Sequence, residues 1–133
     1  MFDFLIAVCL WNEVVCRQQK IINYAYLTAE VRGIDPNKFL MLISCESRFN
    51  EDAKGDYRIE ENRYMANGIL QFWHGTFKNY SKKYRIKGEY LDPFTQIDIA
   101  ASIIADKNDK GWKHWLNCGR VAGFDDGIYF AQK

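Results

Sequence analysis

The chain contains two prolines, and each follows an aspartate: Asp35-Pro36 and Asp92-Pro93. Aspartate at an N-cap accepts hydrogen bonds from the free N–H groups of a first helical turn, and proline at the next position loses nothing, because its missing N–H would be orphaned there. Both pairs therefore read as helix starts. The apolar spacing agrees: Phe39, Leu42 and Ile43 share one face of the segment from Pro36 to about Ser47, and Ile97, Ala101 and Ile104 share a stripe after Pro93. Upstream, Ile22, Ala25, Tyr26 and Ala29 follow the i, i+3, i+4, i+7 rule, with Gly33 as a natural stop after Arg32. Thr76 is placed to cap a further helix that carries Phe77, Tyr80 and Tyr84 on one side. Residues 50–67 are polar, charged and without helical period, which makes them a long loop or small hairpin of the kind that is usually functional or mobile. Asn67-Gly68 is a turn signal, and the tail from Gly111 is irregular, aromatic and glycine-rich. The expected fold class is all-α, or mainly α with a small hairpin, with five or six helices.

At 133 residues the chain fits one domain with a core of its own. Its net charge of +1 produces no global field, so no nucleic-acid partner is expected. The apolar run from Phe4 to Trp11 is far shorter than the roughly 20 residues that span a bilayer, so no transmembrane span is expected. That run lacks a positive n-region and a small-residue cleavage site, and residues 1–20 read as a first helix or a remnant export segment. His74 and His114 are far apart, and no Cys/His set has zinc spacing. Asp106 to Gly111 hints at a calcium loop, but Lys110 and Asn117 stand where ligands belong. No metal and no cofactor are expected. Four cysteines remain: Cys9, Cys16, Cys45 and Cys118. On a single helix Cys9 and Cys16 would lie about 10.5 Å apart at the usual helical rise, too far for a disulfide. One Cys45–Cys118 bridge, implying an oxidising compartment, and four buried thiols are the two alternatives.

Glu46 does not fit its surroundings. At about 100° per residue it lands in the stripe of Phe39, Leu42 and Ile43, where an apolar residue is expected. Burial there disfavours the charged form and raises a carboxyl pKa. A glutamate kept protonated near neutral pH is what protonation of a glycosidic oxygen requires. The competing view is a Glu46 at the helix end that meets solvent or pairs with Arg48.

The residues around Glu46 add a pattern. Ile34-Asp35-Pro36 opens the helix, Glu46-Ser47 and Phe49-Asn50 close it, and Gly68-Ile69-Leu70-Gln71 follows about twenty residues later. This ordered set resembles the soluble lytic transglycosylase domain of the lysozyme-like superfamily. The resemblance continues through Asp92-Pro93 and ends at Trp112-Lys113-His114-Trp115-Leu116-Asn117-Cys118, similar to the tail of some secreted members; it covers about residues 21 to 118. It implies a lysozyme-like domain at 21–120, between the segment 1–20 and a tail at 121–133. Glu46 is then the acid/base, Ser47 a supporting polar group, and Gln71, at the start of the next helix, a cleft residue that hydrogen-bonds sugar. Phe72 and Trp73 are candidates for stacking on sugar rings, whereas Trp112 and Trp115 read as core.

The implied activity is cleavage of the β-1,4 bond between N-acetylmuramic acid and N-acetylglucosamine in peptidoglycan, by one glutamate and with 1,6-anhydro products. Peptidoglycan strands are the implied partner, a monomer is expected, and the place is the cell envelope, periplasmic or secreted. The family's Ala-Tyr-Asn-Ala-Gly segment is absent; Asn23-Tyr24-Ala25-Tyr26 lies upstream of where it belongs. Two alternatives therefore stand beside this one. A lysozyme-type hydrolase would draw a second acid from Glu51, Asp52, Asp56, Glu60 or Glu61. A non-catalytic peptidoglycan-binding or structural domain of a phage tail or secretion apparatus would keep the fold without the reaction. Lys78, Lys82, Lys83, Arg85 and Lys87 read as a solvated helix face, with contact to anionic wall polymer as the sharper option.

Overall fold

The computed structural model describes residues 12–106 and 111–125. In chain order it contains α1 (Glu13–Val31), α2 (Pro36–Ser47), β1 (Lys54–Arg58), β2 (Arg63–Asn67), β3 (Phe72–Trp73), α3 (His74–Tyr84), α4 (Pro93–Ala105), a 3-10 turn (Gly111–Trp115) and α5 (Leu116–Val121). The molecule is mainly α with a small antiparallel sheet. Both Asp-Pro pairs open helices. The Asp35 carboxylate accepts from the backbone N–H groups of Asn37 and Lys38, and Asp92 accepts from that of Thr95. The segment Asp106–Gly111, whose calcium-loop pattern fails at Lys110 and Asn117, falls largely on residues 107–110, and the run Phe4–Trp11 on 1–11; these ranges lie outside the described residues.

α4 is the axis of the core. Ile97, Ile99, Ala100, Ala101, Ile103 and Ile104 are all fully buried, so apolar residues surround this helix rather than forming the single stripe expected. Each of these isoleucines contributes about 1.5–3 kcal/mol by leaving water, and each alanine methyl about 0.8 kcal/mol. α1 and α3 pack on α4, and α2 packs between α1 and α5. α1 buries Ile21, Ala25 and Ala29, while Tyr26 stays 39% exposed, so its inward face is turned slightly from the expected one. The two alanines allow its backbone close to its neighbours. Phe39, Leu42 and Ile43 of α2 are completely buried, as their spacing requires.

The polar stretch after α2 is the hairpin β1–β2, extended by β3 in the order β1-β2-β3. Lys54 pairs with Asn67, Arg58 with Arg63, and Ala66 with Trp73. Its outer part buries almost nothing. Ladder bonds hold it, together with the cross-strand pair Tyr57–Tyr64, whose rings meet edge to face at 5.1 Å.

Three local expectations give way. Gly68 to Gln71 does not open a helix: it forms a turn that feeds β3, because Phe72 and Trp73 pair with β2. The next helix starts directly at His74 with Trp73 at its N-cap, so Thr76 sits inside the first turn and is not the cap. A Cys45–Cys118 disulfide is present, with 5.6 Å between Cα atoms, and it ties the end of α2 to α5. It is not the single bridge expected, since Cys16 is disulfide-bonded as well. α1 begins at Glu13 with Asn12 as its N-cap, so Cys9 precedes this helix and the helical rise does not set its distance from Cys16. Cys9 itself lies outside the described residues.

Candidate active site

The end of α2, the hairpin, the Gly68–Trp73 turn and the 3-10 turn enclose a cleft of about 400 Å³. Glu46 lines it from the last turn of α2, facing Asp56 and Ala66 of the hairpin, with Gln71, Trp73 and His114 completing the wall. Glu46 is half-buried. Loss of hydration alone pushes its carboxyl up from 4.5 to about 7. Among the described residues no ion pair reaches it, and Arg48 points into solvent from a left-handed backbone (φ 54°). A carboxylic acid that is half-protonated at neutral pH can donate its proton to a leaving oxygen and then take one back.

The cleft is built with backbone strain. Arg48, Phe49, Asp56 and Gln71 are four of the six described non-glycine residues with positive φ, and all four border the cleft or the exit from α2. Each left-handed non-glycine residue costs about 1–3 kcal/mol, so the surrounding structure must hold them. Asp56 is held through its ion pair with Arg58, with Nε 3.1 Å from Oδ1. The Cys45–Cys118 bridge anchors the residue next to Glu46.

Gln71 reaches the cleft, but its amide N–H groups are committed: Nε2 donates to the carbonyls of Ala53 (3.1 Å) and Gly68 (2.9 Å), fastening the turn to the hairpin base. Its Oε1 lies against Gly55, where a Cβ would approach within 2.5 Å. The Ser47 hydroxyl donates to the Ile43 carbonyl of its own helix (3.3 Å) and does not line the cleft. Phe72 is only 4% exposed and stands edge-on to Phe77 and Trp115, so its ring belongs to the core. Trp73, 39% exposed, presents its indole at the surface, with the Arg58 guanidinium over the ring at 5.4 Å from its centroid. Trp112 and Trp115 are buried as expected.

Four residues that shape the cleft were missed in the sequence. Gln96, fully buried on α4, accepts from the Leu70 N–H (2.9 Å) and donates to the carbonyls of Asn67 (3.1 Å) and Tyr90 (2.8 Å). It thereby clamps the turn that carries Gln71 and Trp73. A glutamine inside the apolar run Pro93–Ala105 is the same kind of anomaly as Glu46, and the signal was available. Trp115 Nε1 donates to the Leu70 carbonyl (2.8 Å), fixing the turn from the other side. Thr76 and His114 also line the cleft, and the His114 ring meets the Tyr80 hydroxyl at 3.0 Å. No spacing rule marks either of them. Among the described residues no group of His, Cys, Asp or Glu converges as a metal site, and no helix is long and apolar enough to cross a membrane.

The model of the transglycosylase SLT domain matches residues 23–120, a span that begins inside α1 and ends inside α5. No curated protein and no solved structure is significantly similar to the chain. The matched span contains Glu46 at the end of α2, the hairpin and turn that close the cleft around it, and the buried helix α4 behind them, and on that match the chain belongs to the transglycosylase SLT domain family.

Proposed function

We propose that the chain cleaves the β-1,4 bond between N-acetylmuramic acid and N-acetylglucosamine, with Glu46 as the one acid/base and a 1,6-anhydro product. The family acts as lytic transglycosylases on peptidoglycan. The observation that carries the residue assignment is the half-buried carboxyl of Glu46 in the cleft, raised to about 7 by burial, with no ion pair to it among the described residues. In the first step the Glu46 proton passes to the glycosidic oxygen as the C1–O4 bond breaks, and the substrate's own N-acetyl oxygen closes on C1. In the second step the Glu46 carboxylate takes the proton of the muramoyl C6 hydroxyl. O6 then bonds to C1, the N-acetyl group is released, and Glu46 is again protonated.

Trp73 offers a ring face for a sugar, and Gln71 presents its carbonyl oxygen rather than the donor pair. Ser47 supports the end of α2 through its bond to Ile43. The disulfides fit an oxidising compartment, which favours a periplasmic or secreted place in the cell envelope.

A second mechanism has one observation in its favour: Asp56 lines the same cleft as Glu46. In a hydrolase it would be the second carboxylate that activates water or forms a glycosyl ester. Its engagement with Arg58 and the apolar setting of Glu46 favour the single-acid route. Mass spectrometry of digested peptidoglycan decides between them. The 1,6-anhydro ends are expected, lost with Glu46→Gln and kept with Asp56→Asn; reducing ends would establish the hydrolase, and no cleavage at all would leave a binding domain.

A further inference from the structure

The cleft does not end at Trp73. Between β2 and the first turn of α3 lies a second groove of about 280 Å³, lined by Arg63, Tyr64, His74, Gly75 and Tyr90 together with Trp73 itself. Because Trp73 lines both spaces, a ligand lying across its ring extends from one into the other. The rings of the groove are ordered: His74 and Tyr90 meet edge to face at 4.7 Å, and the Tyr90 hydroxyl donates to the Phe72 carbonyl. Among the described residues, Arg63 brings a guanidinium to the lining and no acidic side chain lines the groove. It pairs with Glu61 at 3.5 Å, but the two side chains are 61% and 54% exposed, and such a pair exchanges readily for a better anion.

Gly75 supplies a second observation. Every other described glycine has a left-handed φ or stands where a Cβ would meet a neighbouring residue within 4 Å. Gly75 has neither reason: its φ is ordinary, and nothing lies within 4 Å of a Cβ built on it. Glycine in a helix is less favourable than alanine. The fold therefore gains nothing from Gly75, whereas the groove stays open because no side chain projects there.

We propose that this groove receives the acidic peptide stem carried by the muramic acid of the substrate, with Arg63 taking a stem carboxylate and Tyr64 and Tyr90 covering the short aliphatic part. A guanidinium matches a carboxylate in shape and charge. A neutral sugar offers a guanidinium no charge, whereas a stem carboxylate can take the place of the exposed Glu61 beside Arg63. The proposal rests on the peptidoglycan reading above for its substrate, but its test does not require cleavage.

The free stem peptide, L-alanyl-γ-D-glutamyl-meso-diaminopimelate, is titrated into the full chain and followed by NMR. Binding is expected to perturb the signals of His74 and Tyr90, to weaken roughly tenfold in Arg63→Ala, to vanish in Gly75→Glu and to persist in Gly75→Ala. The Gly75→Glu carboxylate sits at a helix N-terminus, which favours the fold, so circular dichroism should be unchanged and lost binding is not unfolding. On glycan strands, Arg63→Ala and Gly75→Glu should raise KM by a similar factor for peptide-bearing strands and leave peptide-stripped strands at the wild-type value. Absent peptide binding, or binding indifferent to both variants, overturns the proposal whether or not glycan is cleaved. Peptide binding without any cleavage sustains the groove and removes the catalytic reading instead.

Discussion

Replacing Glu46 by glutamine should abolish cleavage and, at alkaline pH, make the protein more stable. The wild-type carboxyl titrates near 4.5 when unfolded and at about 7 when folded. A group whose folded pKa is raised binds its proton more tightly in the native state. Its contribution to stability is complete below pH 4.5, declines as pH rises through about 7, and is constant above that. At 1.36 kcal/mol per unit, the shift from 4.5 to about 7 amounts to roughly 3 kcal/mol, an upper bound because Glu46 is only half-buried. Glutamine has nearly the same shape and never ionises, so the variant escapes this loss. Urea unfolding at pH 4 and pH 8.5 should give equal stabilities at the low pH. At the high pH the variant should be ahead, with its midpoint shifted by about 1–2 M for a typical urea slope. Wild-type kcat/KM should fall as pH rises through about 7, since the acid form is what reacts. Equal stabilities of wild type and variant at pH 8.5 would refute the claim that desolvation raises this carboxyl, and with it the physical basis for Glu46 as the acid.

Removing the Cys45–Cys118 bridge by the double substitution Cys45→Ala/Cys118→Ala opens a loop of 73 residues, and chain entropy puts the loss near 4 kcal/mol; the drop in thermal midpoint measures it. Gly68→Ala must fit a Cβ at φ 86° against the Gln96 amide, which displaces the clamp on Leu70; a loss of about 2–4 kcal/mol is expected, read from urea unfolding, with activity falling in the surviving folded fraction. Trp73→Ala removes an exposed ring that buries little within the fold, so stability should hold within about 0.5 kcal/mol while KM for glycan strands rises several-fold.

The parts of the molecule that were legible in the sequence are those set by local rules. Asp35-Pro36 and Asp92-Pro93 announce their helices because capping is chemistry between residues two or three apart. Glu46 stands out because helical periodicity places it on a face whose other members are apolar, and the structure puts it half-buried at the cleft. The turn after Gly68 is not legible, for the opposite reason. Phe72 and Trp73 favour strands by type, but two residues are too few for an alternating pattern, and they form a strand only because β2 is beside them to pair with. Ser47, Gln71 and Phe72 illustrate the same limit at the level of side chains: residue type proposes a donor, an acceptor or a ring, but whether it is free depends on which neighbours have already engaged it.

The sequence by itself determined the helical frame, the place of Glu46 on its apolar face, and the family pattern around it, since all three depend on short spacings along the chain. Tertiary structure alone decided what shares the cleft with Glu46: Asp56 ten residues away on a hairpin, and His114 from the far end of the chain. Cleft walls are assembled from segments far apart in sequence, and no spacing rule encodes which of them the packing around α4 brings into contact.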